Sequence, residues 1–232
     1  MAAPVVRACP TMDPRFDWFS AWVDDHVLLT LTAVSTPDPS RLLAAFGPTT
    51  IDRGSLSLRE VGDIRQPTVR IGTSGGWSYA VEHASTVGGD PMILERLTSE
   101  GSVAVALCWT PNTRTVHVAR SGEHLCGFEA DAPNSMRWGR EPHSFDAQIR
   151  EAGLDDPGDQ RPGAACAAFL ELMTGMTLTR AMVEGRLPCA TLPAPGATVS
   201  QEQETGEGTP APLVPGLLLP ELPPHERNSA RT

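Results

Sequence analysis

Between Pro67 and Ala130 the chain carries two pairs of runs that alternate apolar and polar residues at period two, and one helix-patterned segment separates the pairs. A stretch of this kind demands an antiparallel sheet. In residues 69–81, a three-residue loop of Thr73, Ser74 and Gly75 sets Ile71 opposite Trp77 and Val69 opposite Tyr79, which gathers the apolar side chains on one face. Gly75 then takes the positive φ that such a loop requires. In the second pair, a loop at Asn112 and Thr113 sets Trp109 against Val116 and Leu107 against Val118, with Cys108 facing His117 on the other side. A third strand, 125–130, follows Ser121-Gly122-Glu123. Burying the large side chains of the Trp77 and Trp109 face contributes about 1.5–3 kcal/mol each as an upper bound, reason enough for a sheet to form there.

The segment between the hairpins opens with Asp90-Pro91, a capping side chain followed by the residue whose missing N–H costs nothing in a first helical turn. Met92, Ile93, Leu94 and Leu97 supply its buried side, and Gly101 closes it. Upstream, Phe16, Trp18, Phe19, Trp22 and Val23 predict a short aromatic-rich helix or turn docking on the core. The run from His26 to Val34, rich in leucine, threonine and valine, predicts a central strand buried on both faces. A helix begins near Ser40, with Leu42, Leu43 and Phe46 inward and Gly47-Pro48 as its stop. Residues 49–66 are weakly patterned, with one short helix around 56–61. After a loop from Asp131 to His143, three helical segments (145–152, 164–174 and 178–184) each end at a glycine.

Composition narrows the functional classes. All 18 basic residues are arginine against 28 acidic ones, the net charge is -10, and no arginine cluster interrupts the excess, so nucleic acid and anionic membranes are not expected partners. The five cysteines, at 9, 108, 126, 166 and 189, are odd in number and widely spaced, which fits a reducing, cytoplasmic setting better than a disulfide framework. No apolar run approaches the roughly 20 residues of a membrane span. Residues 191–232 hold eight prolines and no periodic apolar face, and they read as a disordered tail with one sticky segment at 213–219. The expected organisation is a loose lead-in over 1–14, one domain over 15–190 and the Pro-rich tail over 191–232.

The order of these elements resembles the actinobacterial domain-of-unknown-function family 6461. The matching residues are Leu28 to Leu31, Pro39 to Gly47, Gly75-Gly76-Trp77 with Ala80-Val81-Glu82, Phe128-Glu129, and Arg137-Trp138-Gly139-Arg140-Glu141-Pro142. Leu170-Glu171-Leu172-Met173-Thr174-Gly175 with Leu178-Thr179 completes the set. The resemblance spans roughly residues 16–190, and the two tryptophan-glycine motifs are its most specific parts. It departs from the pattern in the long tail and at His26, where an aromatic is expected. The resemblance implies an α+β domain with no established activity, and it assigns no catalytic residue.

Three groups of residues invite a chemical reading. Gly72-Thr73-Ser74-Gly75-Gly76 is a hairpin turn rather than a phosphate cradle, because phosphate loops lead from a strand into a helix. Cys108, His117 and Cys126 fall on one face in the hairpin register above, and His124 falls there too. They could begin a tetrahedral metal site, although a fourth ligand is not evident, or they form the small-residue face on which a helix packs. Glu82, Glu129, Arg137 and Trp138 lie at strand ends and in the adjoining loop. The two carboxylates and the guanidinium either pin that loop as an ion pair, line a binding cleft, or supply a general base.

These readings converge on an α+β domain with an antiparallel sheet of five or six strands and flanking helices. The expected function is a non-catalytic binding or protein-interaction module without cofactor or metal, possible forms being an immunity or regulatory component of a bacterial conflict or signalling system. The alternative is a small hydrolase that uses the strand-end carboxylates. The polar candidates for binding are Glu82, Glu129, Arg137 and Trp138.

Overall fold

The computed structural model describes residues 14–24, 28–47, 50–155 and 162–192, and in the strand that begins at Thr50 the side chains are described from Gly54 onward. The lead-in expected before residue 14 and the tail expected after 192 lie outside the described residues, as do His26 and Val27. The first half of the chain forms α1 (Asp17–Asp24), β1 (Leu29–Val34), α2 (Pro39–Ala45), β2 (Thr50–Leu56), α3 (Leu58–Gly62), β3 (Thr68–Ser74) and β4 (Trp77–His83). A 3-10 turn at Val87–Gly89 leads into α4 (Pro91–Thr98), followed by β5 (Val103–Trp109), β6 (Arg114–Arg120), β7 (Glu123–Glu129) and the short β8 (Arg137–Trp138). Then come α5 (Asp146–Glu151), α6 (Pro162–Thr174), α7 (Arg180–Glu184) and β9 (Leu187–Thr191).

The strands form one open antiparallel sheet in the order β2-β9-β3-β4-β1-β5-β6-β7-β8. Nine strands replace the five or six expected. The extra ones are at or next to the edges: β2 is one edge strand, β9 lies between it and β3 and pairs with β2 across more than a hundred residues of chain, and β8 contributes two residues to the other edge. Neither β2 nor β9 has an alternating apolar pattern, since β2 carries Asp52 and Gly54 and β9 carries Pro188. As an edge strand β2 needs backbone partners on one side only, and β9, although paired on both sides, is five residues long, so neither leaves a strong signature. Thr191, expected to begin the tail, instead closes β9.

Helices cover both faces. On the front face, α1, α5, α6 and α7 pack on Leu29, Leu31, Val81, Val105, Leu107, Trp109, Val116, Val118 and Phe128. On the rear face, α2 and α4 pack on Val69, Ala80, Ala104, Ala106 and Ala119. The small rear residues let α4 approach closely, which is why that face reads as Ala and Cys along β5. All of β1 is buried, as its unbroken apolar-and-threonine run requires. In α4, Asp90 accepts a hydrogen bond from the Met92 amide at 2.8 Å, the cap expected of Asp-Pro. Met92 itself is 69% exposed rather than inward, because only Leu94 and Leu97 reach the sheet fully at this helix angle.

Register differs from the alternation-based reading in both hairpins, with different consequences. In the first, Gly75 and Gly76 both adopt positive φ (56° and 84°) and make a two-residue turn that pairs Ser74 with Trp77. The pairing is displaced by three positions from the expected one, Ile71 facing Ala80 and Val69 facing Glu82. An odd displacement exchanges faces. Val69 and Ile71 therefore pack on the rear, whereas Trp77 and Tyr79 stay in front, the Tyr79 ring lying over Gly72. In the second hairpin Pro111-Asn112 is the turn, with the Thr110 amide bonded to the Thr113 carbonyl at 2.9 Å and Cys108 opposite Thr115. Proline at the first corner presets the turn dihedral and would have removed a ladder donor had it sat in the strand. That displacement is by two, so the faces survive.

A bulge in β7 makes the remaining difference. Val118 pairs with Cys126 and Ala119 with His124, leaving Leu125 extra. Leu125 and Cys126 both join the front core, and His124 faces rearward. Among the described residues, no helix is long and apolar enough to cross a membrane.

Candidate functional site

The rear face carries a row of polar residues through the middle of the sheet. Glu82, Thr30, Cys108, Thr115 and Glu129 are direct neighbours on β4, β1, β5, β6 and β7. Glu82 is wholly buried; its Oε2 accepts from the Ser85 hydroxyl at 2.6 Å and its Oε1 from the Gly88 amide at 2.9 Å. Burial pushes the carboxyl up to about 7 against the pull of those hydrogen bonds. The turn at Val87–Gly89 lies directly on the row. A Cβ at Gly88 would sit 2.3 Å from both Glu82 Oε1 and Thr32 Oγ1, and one at Gly89 would sit 2.1 Å from Cys108 Sγ. Only glycine permits that approach. Burial pushes the Cys108 thiol up to about 12.

Further along, His117 shares a hydrogen bond between its Nδ1 and His124 Nε2 at 3.2 Å and another between its Nε2 and the Thr115 hydroxyl at 3.1 Å. Burial, and then the charge of His124, pulls His117 down to about 4, so the pair is neutral near pH 7. The Trp138 ring closes this end, edge-on to His117 at 5.6 Å and lying over Gly127.

The expected site residues do not meet as one cluster, although Glu129 and Trp138 share the rear face of adjacent strands, Trp138 standing opposite Gly127. Glu82 and Glu129 share the row but are four strands apart, about 19 Å at the usual strand spacing. Arg137 pairs with Phe128 on the opposite face and makes its ion pair with Asp146, beside further hydrogen bonds to the Asn134 side chain at 3.0 Å and the Pro142 carbonyl at 3.1 Å. That contact holds the Asp146 carboxyl below its ordinary value and ties residues 133–146 to the sheet edge. Trp138, one residue on, faces rearward. The Cys108, His117 and Cys126 constellation is also divided, because the β7 bulge turns Cys126 to the front, where its thiol meets the Pro142 carbonyl at 3.3 Å. Among the described residues, no three His, Cys, Asp or Glu side chains are placed to hold a metal.

An open pocket of about 460 Å³ lies elsewhere, lined by Trp22 of α1, Leu58, Arg59 and Gly62 of α3, His83 at the end of β4, and Glu184 of α7. Each element is held independently. A reciprocal cap starts α3, the Ser57 amide donating to Glu60 Oε2 at 2.7 Å while Ser57 Oγ accepts from the Glu60 amide at 3.4 Å. The end of α7 is anchored by Arg70, a fully buried side chain whose guanidinium donates to the carbonyls of Val183 at 2.5 Å and Gly185 at 3.0 Å. A cation at a helix C-terminus satisfies carbonyls that no amide reaches. Trp22 and Leu58 form an apolar wall, and Arg59 and Glu184 bring opposite charges to the rim. Sequence reasoning found each helix but not this pocket, whose walls come from residues near 22, 60, 83 and 184. No local pattern announces such a meeting.

No curated protein and no solved structure matches the chain. The span matched by a family model begins at α3 and includes every pocket residue except Trp22. The chain belongs to the family of unknown function DUF6461, whose model matches residues 58–195.

Proposed function

We propose that the protein is a non-catalytic binding module whose ligand seat is the pocket between α1, α3, α7 and the end of β4. The observation that carries this reading is the pocket itself: an open volume of about 460 Å³ that brings the apolar Trp22 and Leu58 together with Arg59, His83 and Glu184, a size within the range of small-molecule sites. The strand-end carboxylates Glu82 and Glu129 do not line it, although the His83 imidazole and the Glu184 carboxylate do. Both oxygens of Glu82 are engaged inside the sheet, and Glu129 is about 19 Å away, so a hydrolase working through strand-end carboxylates draws no support from their placement.

Gly62 offers a clean test. No atom lies within 4 Å of a Cβ built there, and its φ is not in the left-handed region, so a side chain can be started at this lining position without a backbone clash. Gly62→Phe should leave the melting temperature unchanged and abolish binding of any fragment detected by ligand-observed NMR. Fragments that bind the variant as well as wild type would place the seat elsewhere.

A protein partner is the second form of this reading, with an immunity or regulatory role as its concrete case. The net charge of -10 and the Met92 side chain, 69% exposed on α4, favour it. A partner pulled down by wild type and lost with Met92→Glu supports that form, and one retained equally by both removes the methionine from it.

A further inference from the structure

Resting on the binding reading above, we propose that the pocket selects a small carboxylic acid with a flat apolar body, the carboxylate taken by Arg59. The inference comes from which charges at the rim are already committed. Glu184 is held by Arg180 at 3.3 Å, one turn earlier on α7. Glu60, the neighbour of Arg59, is engaged by its own helix cap and by Arg186 at 2.5 Å. Arg59 makes no hydrogen bond or ion pair with any described residue. In a chain of net charge -10, the uncommitted charge among the described residues of this pocket is therefore positive.

The guanidinium fork matches a carboxylate with two parallel hydrogen bonds. A phosphate dianion fits less well, because one guanidinium neutralises only one of its charges and Glu184 stands on the same rim. Trp22 and Leu58, 6% and 8% exposed, supply a wall against which a planar ring packs. A volume of about 460 Å³ suits a bicyclic acid of modest size.

Indole-3-propionate, its primary amide and tryptamine share one ring system and differ in charge. Titrated into the full-length protein and followed by ligand-observed NMR, the acid should bind about tenfold or more tightly than the amide, and tryptamine weakest of all. The preference should shrink as salt is raised. Arg59→Gln, at an exposed position with no hydrogen-bond or ion-pair partner among the described residues, should bring the acid to the affinity of the amide with no change in melting temperature. Equal binding of acid and amide, abolished by Gly62→Phe, would overturn the acid selectivity and leave the pocket as the seat. Binding of none of the three, or binding indifferent to Gly62→Phe, would overturn both proposals.

Discussion

Replacing Glu82 by glutamine isolates the cost of keeping one ionisable carboxyl inside the interface between sheet and helix. In solvent the group ionises near 4.5, and burial moves it to about 7 in the fold. As pH rises from 4.5 to 7 the unfolded chain gives up this proton while the native state keeps it. Stability that is complete below 4.5 is therefore lost by the time the folded carboxyl ionises, a loss of about 3 kcal/mol. His117 acts in the opposite sense. Its imidazole is moved from 6.5 down to about 4, so its contribution is complete above 6.5 and is lost as pH falls to 4. Between 4.5 and 6.5 the two slopes nearly cancel, and the wild-type curve alone tests neither. Glutamine keeps the shape of the site: its amide oxygen accepts from Gly88, and its NH2 donates to Ser85 Oγ, which already accepts from the Val87 amide at 3.2 Å and has a second lone pair. Urea unfolding followed by tryptophan fluorescence, near pH 4.5 and near pH 8, gives the stability of each protein. The difference, variant minus wild type, should move in the variant's favour by about 3 kcal/mol across that interval. The variant alone should gain stability from pH 4 to 6.5 through His117. A difference constant to within about 1 kcal/mol would refute the reasoning, since it would mean that the carboxyl pays no burial cost.

Gly89→Ala should cost about 1–3 kcal/mol, because the added methyl meets Cys108 Sγ at 2.1 Å. Combining it with Cys108→Ala, which removes that sulfur, should recover most of the loss in a double-mutant cycle; simple additivity would show the contact to be unimportant. Arg70→Met should lose about 2–4 kcal/mol by leaving the Val183 and Gly185 carbonyls without their donor, and a variant as stable as wild type in urea would contradict the anchoring of α7. The thiols of Cys108, Cys126 and Cys166 are buried and pushed up, so iodoacetamide near pH 8 should leave all three unmodified in the native protein and alkylate them in urea. Peptide mapping that finds Cys108 labelled without denaturant would count against the closed rear face.

Much of the local architecture was legible in the residues. Asp90-Pro91 announced a helix start and the structure has one, since the cap and the fixed proline dihedral act within one turn of chain. The alternation of β3 through β7 announced strands, and the glycines at 153, 175 and 185 marked where helices stop. The faces were harder. Gly75-Gly76 permits a two-residue turn that Thr73-Ser74-Gly75 does not, and the difference of three positions moved Val69 and Ile71 to the other side of the sheet. Asn112-Thr113 was displaced by Pro111-Asn112 without changing faces, because the step was even. The bulge at Leu125 carries no glycine and has no mark in the residues; it is selected by the packing of Leu125 and Cys126 into the front core.

The kinds of element, their caps and stops, and the apolar load that makes a two-faced sheet necessary are all written locally in the residues, because propensity, capping and alternation act over a few positions. Which strands meet, which side chains share a face and which distant residues enclose a pocket emerge from the assembled fold alone. Pairings such as β2 with β9 are chosen by long-range burial and backbone satisfaction. The meeting of Trp22, Arg59, His83 and Glu184 is a consequence of that choice, written in no single stretch of chain.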